Sequence, residues 1–127
     1  MTHGVGILLV DDDEQILKMC SFYFTHCGYR CFRALDAFEA KRILASEQGI
    51  NVVLSDYNMP GNENLEFIYF IRDNYPDVRT IMWSGQSLND IPALCDRLGL
   101  YGCFQKPVKM SLLSETIRQA TKVSVGN

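Results

Sequence analysis

Asp56 closes the apolar run Asn51-Val52-Val53-Leu54-Ser55 and is followed at once by Tyr57-Asn58-Met59-Pro60-Gly61. A carboxylate at the mouth of a buried strand can act as a nucleophile. Three other apolar runs end in reactive groups. Ile7-Leu8-Leu9-Val10 leads into Asp11, Asp12 and Asp13, Thr80-Ile81-Met82-Trp83 into Ser84-Gly85, and a fourth run precedes Lys106-Pro107. If these runs are strands of one sheet, their ends deliver acids, a hydroxyl and an amine to one place. Taken singly, Asp13 and Glu14 read mainly as a helix N-cap with a first-turn acid. Ser84 alone reads as a loop hydroxyl and Lys106 alone as a solvated amine. Asp56 has no basic residue near it in sequence, so a structural ion pair needs a distant partner, and Lys106 is the one this arrangement offers.

Short β-rich runs at 6–11, 30–34, 51–56, 79–84 and 101–105 alternate with segments whose apolar residues recur at three and four. Those stripes are Ile16, Cys20, Phe24 and Cys27; Ala37, Ala40, Ile43 and Leu44; Leu65, Ile68 and Ile71; Ile91, Leu94, Cys95 and Leu98; and Met110, Leu113, Ile117 and Ala120. Each predicts a helix with one buried face. Gly28 and Gly99 fit C-terminal caps, and Pro92 fits a first turn, where its missing N–H costs little. Five βα units predict one α/β domain: a doubly wound parallel sheet with right-handed crossovers and helices on both faces. The first and third strands carry no charge until their last residues and belong in the middle. Such a sheet places its site beyond the carboxyl ends of the strands, where Asp11, Asp12, Asp56, Ser84 and Lys106 fall.

Composition narrows the alternatives. At 127 residues, with 47% apolar and 21% charged residues, the chain has the makings of one globular domain. A net charge of −3 and no basic stripe argue against a direct nucleic-acid partner. No apolar stretch approaches the roughly 20 residues a bilayer span needs, and the N-terminus has no signal-like segment. Membrane insertion is not expected, and a cytoplasmic location is. The five cysteines, Cys20, Cys27, Cys31, Cys95 and Cys103, lack a Cys-x-x-Cys pair. They read as free thiols serving as small core residues, with a metal or redox pair at Cys27 and Cys31 as the weaker alternative.

Four segments together resemble the response-regulator receiver domain, the phosphorylatable half of bacterial two-component signalling and CheY-like in type. They are Ile7-Leu8-Leu9-Val10-Asp11-Asp12-Asp13-Glu14, Leu54-Ser55-Asp56-Tyr57-Asn58-Met59-Pro60-Gly61, Ser84-Gly85 and Phe104-Gln105-Lys106-Pro107. The match covers about residues 6–122 of a single domain spanning 1–127. The resemblance implies a flavodoxin-like strand order 2-1-3-4-5 and a phosphoacceptor at Asp56. It implies Mg²⁺ (or Mn²⁺) held by Asp12, Asp56 and the backbone carbonyl of Asn58, with Asp11 acting through water. Lys106 and Ser84 would bind the phosphoryl oxygens. The donor would be a sensor histidine kinase or a histidine phosphotransfer protein. The output would be a surface of helix 4, strand 5 and helix 5 that engages a downstream protein target or a second copy of the chain. Catalysis would extend only to its own phosphorylation and self-dephosphorylation, tuned by Asn58 and Gln86.

Two positions depart from the family pattern. Cys103 stands where the family usually carries the switch aromatic, so signalling is expected to rely on Ser84 and the loop from Gly85 to Asn89. Phe104 should face opposite to Cys103 on an alternating strand, whereas Tyr101 should share the face of Cys103 and so offer a substitute. Asn64 replaces the family's usual Gly after the Met-Pro-Gly turn, where a left-handed residue is expected, and Asn tolerates that conformation.

Three rival functions fit less well. An aspartate-nucleophile phosphatase of the haloacid dehalogenase type needs a second Asp two residues after the first, where Asn58 stands. A docking-only receiver module would have no use for the complete set of site residues. A dinucleotide site needs its glycines after the first strand, and Gly4-Val5-Gly6 precedes it. The chain ends shortly after its fifth helical segment, so no output domain is expected within it. It would be a stand-alone receiver or a piece of a longer regulator or hybrid kinase.

Overall fold

The computed structural model describes residues 4–85 and 91–123. Five parallel strands, β1 (Gly6–Val10), β2 (Arg30–Ala34), β3 (Ile50–Asp56), β4 (Arg79–Ser84) and β5 (Gly102–Gln105), form one sheet in the order β2-β1-β3-β4-β5. The connecting helices are α1 (Glu14–His26), α2 (Ala37–Ser46), α3 (Glu66–Asn74), α4 (Ile91–Leu98) and α5 (Met110–Val123). This is the order that the family resemblance implies, and β1 and β3 are central as their uncharged runs predict. Every residue of β1 is buried, whereas edge strand β2 exposes Arg30 and Arg33.

Alternation along the strands sorts the core by face. Ile7, Leu9, Val52, Leu54, Ile81 and Trp83 pack under α1 and α5 with Leu17, Cys20, Phe24, Leu113 and Ile117. Leu8, Val10 and Val53 pack under α2 and α3 with Ala40, Leu44, Phe67 and Ile71. Ile68, Met82, Leu98 and Cys103 continue that second side toward α4. Leu17 and Phe67 are fully enclosed positions that the apolar stripes did not include. A helix pressed between a sheet and a neighbouring helix buries a wider arc than one row at three-four spacing.

β1 enters the sheet through an irregularity: Gly6 pairs with Ile50, but Ile7 pairs with Val52. The skipped residue, Asn51, uses its side-chain oxygen to accept the Gly6 N–H at 3.0 Å. A Cβ at Gly6 would run into the Gly49 carbonyl, with Gly49 C at 3.1 Å and Ile50 Cα at 3.2 Å. Glycine is therefore required there by backbone approach.

The helix ends follow the expected chemistry. Asp13 caps α1, its Oδ1 accepting from Gln15 N at 2.9 Å and Ile16 N at 3.4 Å, with Glu14 in the first turn. Asp36 caps α2 by accepting from Glu39 N at 2.8 Å, while Glu39 Oε1 reciprocates by accepting from Leu35 N at 2.9 Å. Gly28 (φ 98°) and Gly99 (φ 68°) follow α1 and α4 in left-handed backbone. One detail differs from expectation: the left-handed non-glycine residue before α3 is Leu65 (φ 63°). Asn64 lies within the single 3₁₀ turn Glu63–Leu65. Leu65 thus immediately precedes α3, where it is partly buried against the cluster that contains Ile68.

Candidate functional site

At the carboxyl end of the sheet, β1 stops at Val10 and Asp11 follows, one residue earlier than predicted. The Asp11 N–H still extends the ladder by donating to Ala34 O at 3.1 Å. Asp11 is 2% exposed and Asp56, the last residue of β3, is 6% exposed, whereas Asp12 is solvent-exposed. One carboxylate oxygen from each of Asp11, Asp12 and Asp56 can be chosen so that all three lie within 4.8 Å of one another. Among the described residues this is the grouping of acids, histidines and thiols close enough to share a metal ion.

Lys106 reaches into the same place from the end of β5. Its Nζ lies 2.9 Å from Asp11 Oδ2 and 3.6 Å from Asp56 Oδ1, with side-chain exposures of 18%, 3% and 8% respectively. The partner expected for Asp56 from a distance of fifty residues in sequence is therefore in contact with it. The Lys106 N–H donates to Ser84 O at 2.6 Å, tying β5 to β4 at the level of the site. The Lys106–Pro107 peptide bond is cis. The other oxygen of Asp11 accepts from Asp13 N at 2.9 Å, so both Asp11 oxygens are fixed.

The electrostatics follow from this crowding. Burial, and next the neighbouring Asp11 charge, push the Asp56 carboxyl from 3.8 up to about 6, against the opposing pull of Lys106 and of the Asn58 backbone N–H. A site that raises the pKa of its central acid by desolvation and like charge favours a hard cation with oxygen ligands. The donor set, three carboxylates and no thiol or imidazole, fits Mg²⁺ or Mn²⁺.

The loop after β3 is held from several directions. Tyr57 N–H donates to Trp83 O at 2.7 Å, and Pro60 O accepts from Ala37 N at 3.0 Å. Met59 is buried in the core beneath α2 and α3. Asn62, 5% exposed, is a residue that sequence reasoning missed. Its Nδ2 donates to Tyr57 O at 2.9 Å, and its Oδ1 accepts from Phe67 N at 3.0 Å and Ile68 N at 3.4 Å. One amide thus joins the acid-bearing loop to the start of α3. An Asn at a turn before a helix is a usable signal, but its distance of five residues from the bonds it makes hides it. Asn62→Ala strands these groups and should lower stability by about 2–3 kcal/mol, read as a fall in the urea midpoint. Loss below about 0.5 kcal/mol would deny the clamp its role.

The remaining predicted residues are placed as follows. Ser84 is fully buried at the end of β4, one residue beyond Trp83, which pairs with Asp56 in the β3–β4 register. Gly85 is exposed, with open space where a Cβ would stand. Asn58 is exposed, and its backbone N–H bonds the Asp56 carboxylate. Gln86 and the loop through Asn89 lie outside the described residues.

Cys103 is buried against Ile68, Met82 and Leu98, and Phe104 packs on the opposite side with the α1–α5 core. Tyr101 corrects the expectation drawn for it: it too packs on the α1–α5 side, beneath the Arg79 guanidinium at 5.8 Å. The reason is that Tyr101 lies in the bend before β5, which begins at Gly102, so strand alternation does not carry back to it. It does not share the face of Cys103, which is where a substitute was expected. None of the five cysteines is in a disulfide, and burial pushes the thiols of Cys20 and Cys103 up to about 11. Cys27 and Cys31 enter no metal-sized grouping among the described residues.

Comparison with known proteins agrees with this geometry. The sequence profile of the response regulator receiver domain matches residues 7–118. Hydrogenase transcriptional regulatory protein HoxA of Cupriavidus necator is 33% identical over 96% of this chain and 25% of its own length. Sensor histidine kinase RcsC of Salmonella typhimurium is 29% identical over 87% of this chain and 12% of its own length. The chain therefore spans a quarter or less of these curated relatives. Among solved structures, a receiver domain protein from Clostridium thermocellum superposes with a TM-score of 0.86 at 26% identity, covering 94% of this chain and 96% of that one. The signal receiver domain of an HD domain-containing protein from Pseudomonas fluorescens gives 0.86 at 26% identity, covering 97% and 98%.

Proposed function

The chain belongs to the response regulator receiver domain family, and from that membership we propose that Asp56 accepts a phosphoryl group from a histidine kinase or a histidine phosphotransfer protein. The observation that carries this reading is the meeting of Asp11, Asp12 and Asp56 within 4.8 Å under the Lys106 ammonium.

The residues divide the work. Asp56 Oδ attacks phosphorus, the bond from phosphorus to the donor breaks, and an acyl phosphate forms. Phosphoryl transfer spreads charge over three equatorial oxygens, so positioning and neutralisation do most of the catalysis. Lys106, already between Asp11 and Asp56, takes one phosphoryl oxygen, and the Ser84 hydroxyl takes another. Asp12, Asp56 and the Asn58 carbonyl would hold the divalent cation, with Asp11 acting through water. Bound there, Mg²⁺ relieves the repulsion among the carboxylates and takes up charge from the phosphoryl group. A phosphorylated Asp56 gains close to two negative charges beside Ser84, and through it biases the surface of α4, β5 and α5 toward a protein target or a second copy of the chain. Loss of the phosphoryl group to water is tuned at Asn58 and Gln86. A cytoplasmic setting suits such a donor.

Trp83 provides the assay. The residue is 4% exposed, and its ring lies under the Lys106 Nζ, which is 4.8 Å from the ring centroid. Addition of Mg²⁺ with acetyl phosphate or a beryllofluoride mimic should change Trp83 fluorescence in the parent and leave Asp56→Asn unchanged in the beryllofluoride arm. Identical traces from the two proteins would remove the proposal.

A further inference from the structure

Packing alone does not account for a tryptophan at position 83. The residue is 4% exposed, yet its indole N–H is buried without an acceptor among the described residues, a cost that phenylalanine would avoid. Register sets Trp83 beside Asp56, and in a parallel sheet such neighbours project to the same face. Lys106 crosses that face with Nζ 4.8 Å from the Trp83 ring centroid while it reaches Asp11 at 2.9 Å and Asp56 at 3.6 Å. The backbones on either side are tied as well, Tyr57 N–H to Trp83 O at 2.7 Å and Lys106 N–H to Ser84 O at 2.6 Å.

We propose that Trp83 is a positioning residue for Lys106, its ring face holding the ammonium at the point where it meets the incoming phosphoryl group. The inference rests on Asp56 being the phosphoacceptor. A lysine stem is long and flexible, and indole is the ring that holds a cation best. The two carboxylates that also hold Lys106 are the groups whose pull on it changes when a cation binds or when the charge of Asp56 moves out onto a phosphoryl group. The ring's attraction does not depend on their charge, so it keeps the ammonium in place through the reaction.

The test is a cycle of Trp83→Phe and Trp83→Leu, each alone and with Lys106→Met, followed by initial rates of phosphorylation from acetyl phosphate at saturating Mg²⁺. Proton spectra of the Lys106 ε-methylene in the parent and single variants give a second readout. Trp83→Leu should slow the reaction about tenfold, between the size of an exposed and of a fully desolvated cation–ring contact, with Trp83→Phe in between. In the Lys106→Met background neither change should slow it further. The ε-methylene should be shifted upfield by the ring current in the parent and lose that shift in Trp83→Leu. A parent rate in Trp83→Leu, an equal loss with Lys106→Met present, or an unshifted ε-methylene in the folded parent would overturn the role. A parent that shows the shift but takes no phosphoryl group would instead overturn the phosphoacceptor reading, and with it the use of this contact.

Discussion

Asp56→Asn should make the cation-free protein more stable at pH 7 by about 2 kcal/mol, an unusual sign for a change at a buried polar position. The folded protein holds Asp56 at about 6 against an ordinary 3.8, with burial as the leading cause and Asp11 next. Between those values the folded state binds more protons than the unfolded one, so stability falls as pH rises through the window from about 4 to 6 and levels off above it. The full shift corresponds to about 3 kcal/mol at about 1.4 kcal/mol per unit. Asparagine gives up the attraction to Lys106, which lowers the gain. Parent and variant should therefore melt closer together at pH 4 and farther apart at pH 7 in chelator. Mg²⁺ should raise the Tm of the parent more than that of the variant. A variant less stable than the parent at pH 7 in chelator would show that the pair with Lys106 outweighs the repulsion.

Lys106→Met should act in the opposite direction, with a loss of about 3 kcal/mol at pH 7. The Nζ sits 2.9 Å from a carboxylate whose side chain is 3% exposed and 3.6 Å from one 8% exposed. Removing one partner of a buried pair leaves an uncompensated charge, which costs far more than the loss of a surface bridge. The deficit should shrink as pH falls and Asp56 takes up its proton. Adding Asp56→Asn to Lys106→Met should recover part of it, because one of the two stranded charges is then gone. Urea midpoints across pH 4.5 to 7.5 decide the matter. A loss under about 0.5 kcal/mol at pH 7 would place the pair with exposed bridges such as Arg118–Glu115, 2.6 Å long but 50% and 51% exposed.

The sheet, its alternation with helices and the gathering of Asp11, Asp12, Asp56 and Lys106 were legible because they depend on local pattern. Apolar runs mark strands, three-four spacing marks helices, and parallel crossovers carry all strand ends to one edge. What escaped depends on contacts between segments. Asn62 bonds backbone groups on both sides of itself, and no short pattern announces that. Leu65, at the junction of the 3₁₀ turn and α3, takes the left-handed backbone although Asn64 is the residue with the better propensity. Tyr101 lost its expected face because β5 begins one residue later than the run of strand-forming residues suggests. Trp83 read as one more apolar strand residue until the cross-sheet register set it against Asp56 and Lys106. In each case the sequence carried the residue type, and the neighbour that gives it meaning lay elsewhere in the chain.

The central claim, that Asp56 is the group that takes the phosphoryl, is tested most directly by trapping it. The protein is incubated with acetyl phosphate and Mg²⁺, reduced with borohydride to convert an acyl phosphate into the corresponding alcohol, and mapped by peptide mass spectrometry. The account predicts homoserine at position 56, formed only when both Mg²⁺ and the phosphodonor are present. An unmodified Asp56 in folded protein saturated with Mg²⁺, or conversion at a different acid, would contradict it.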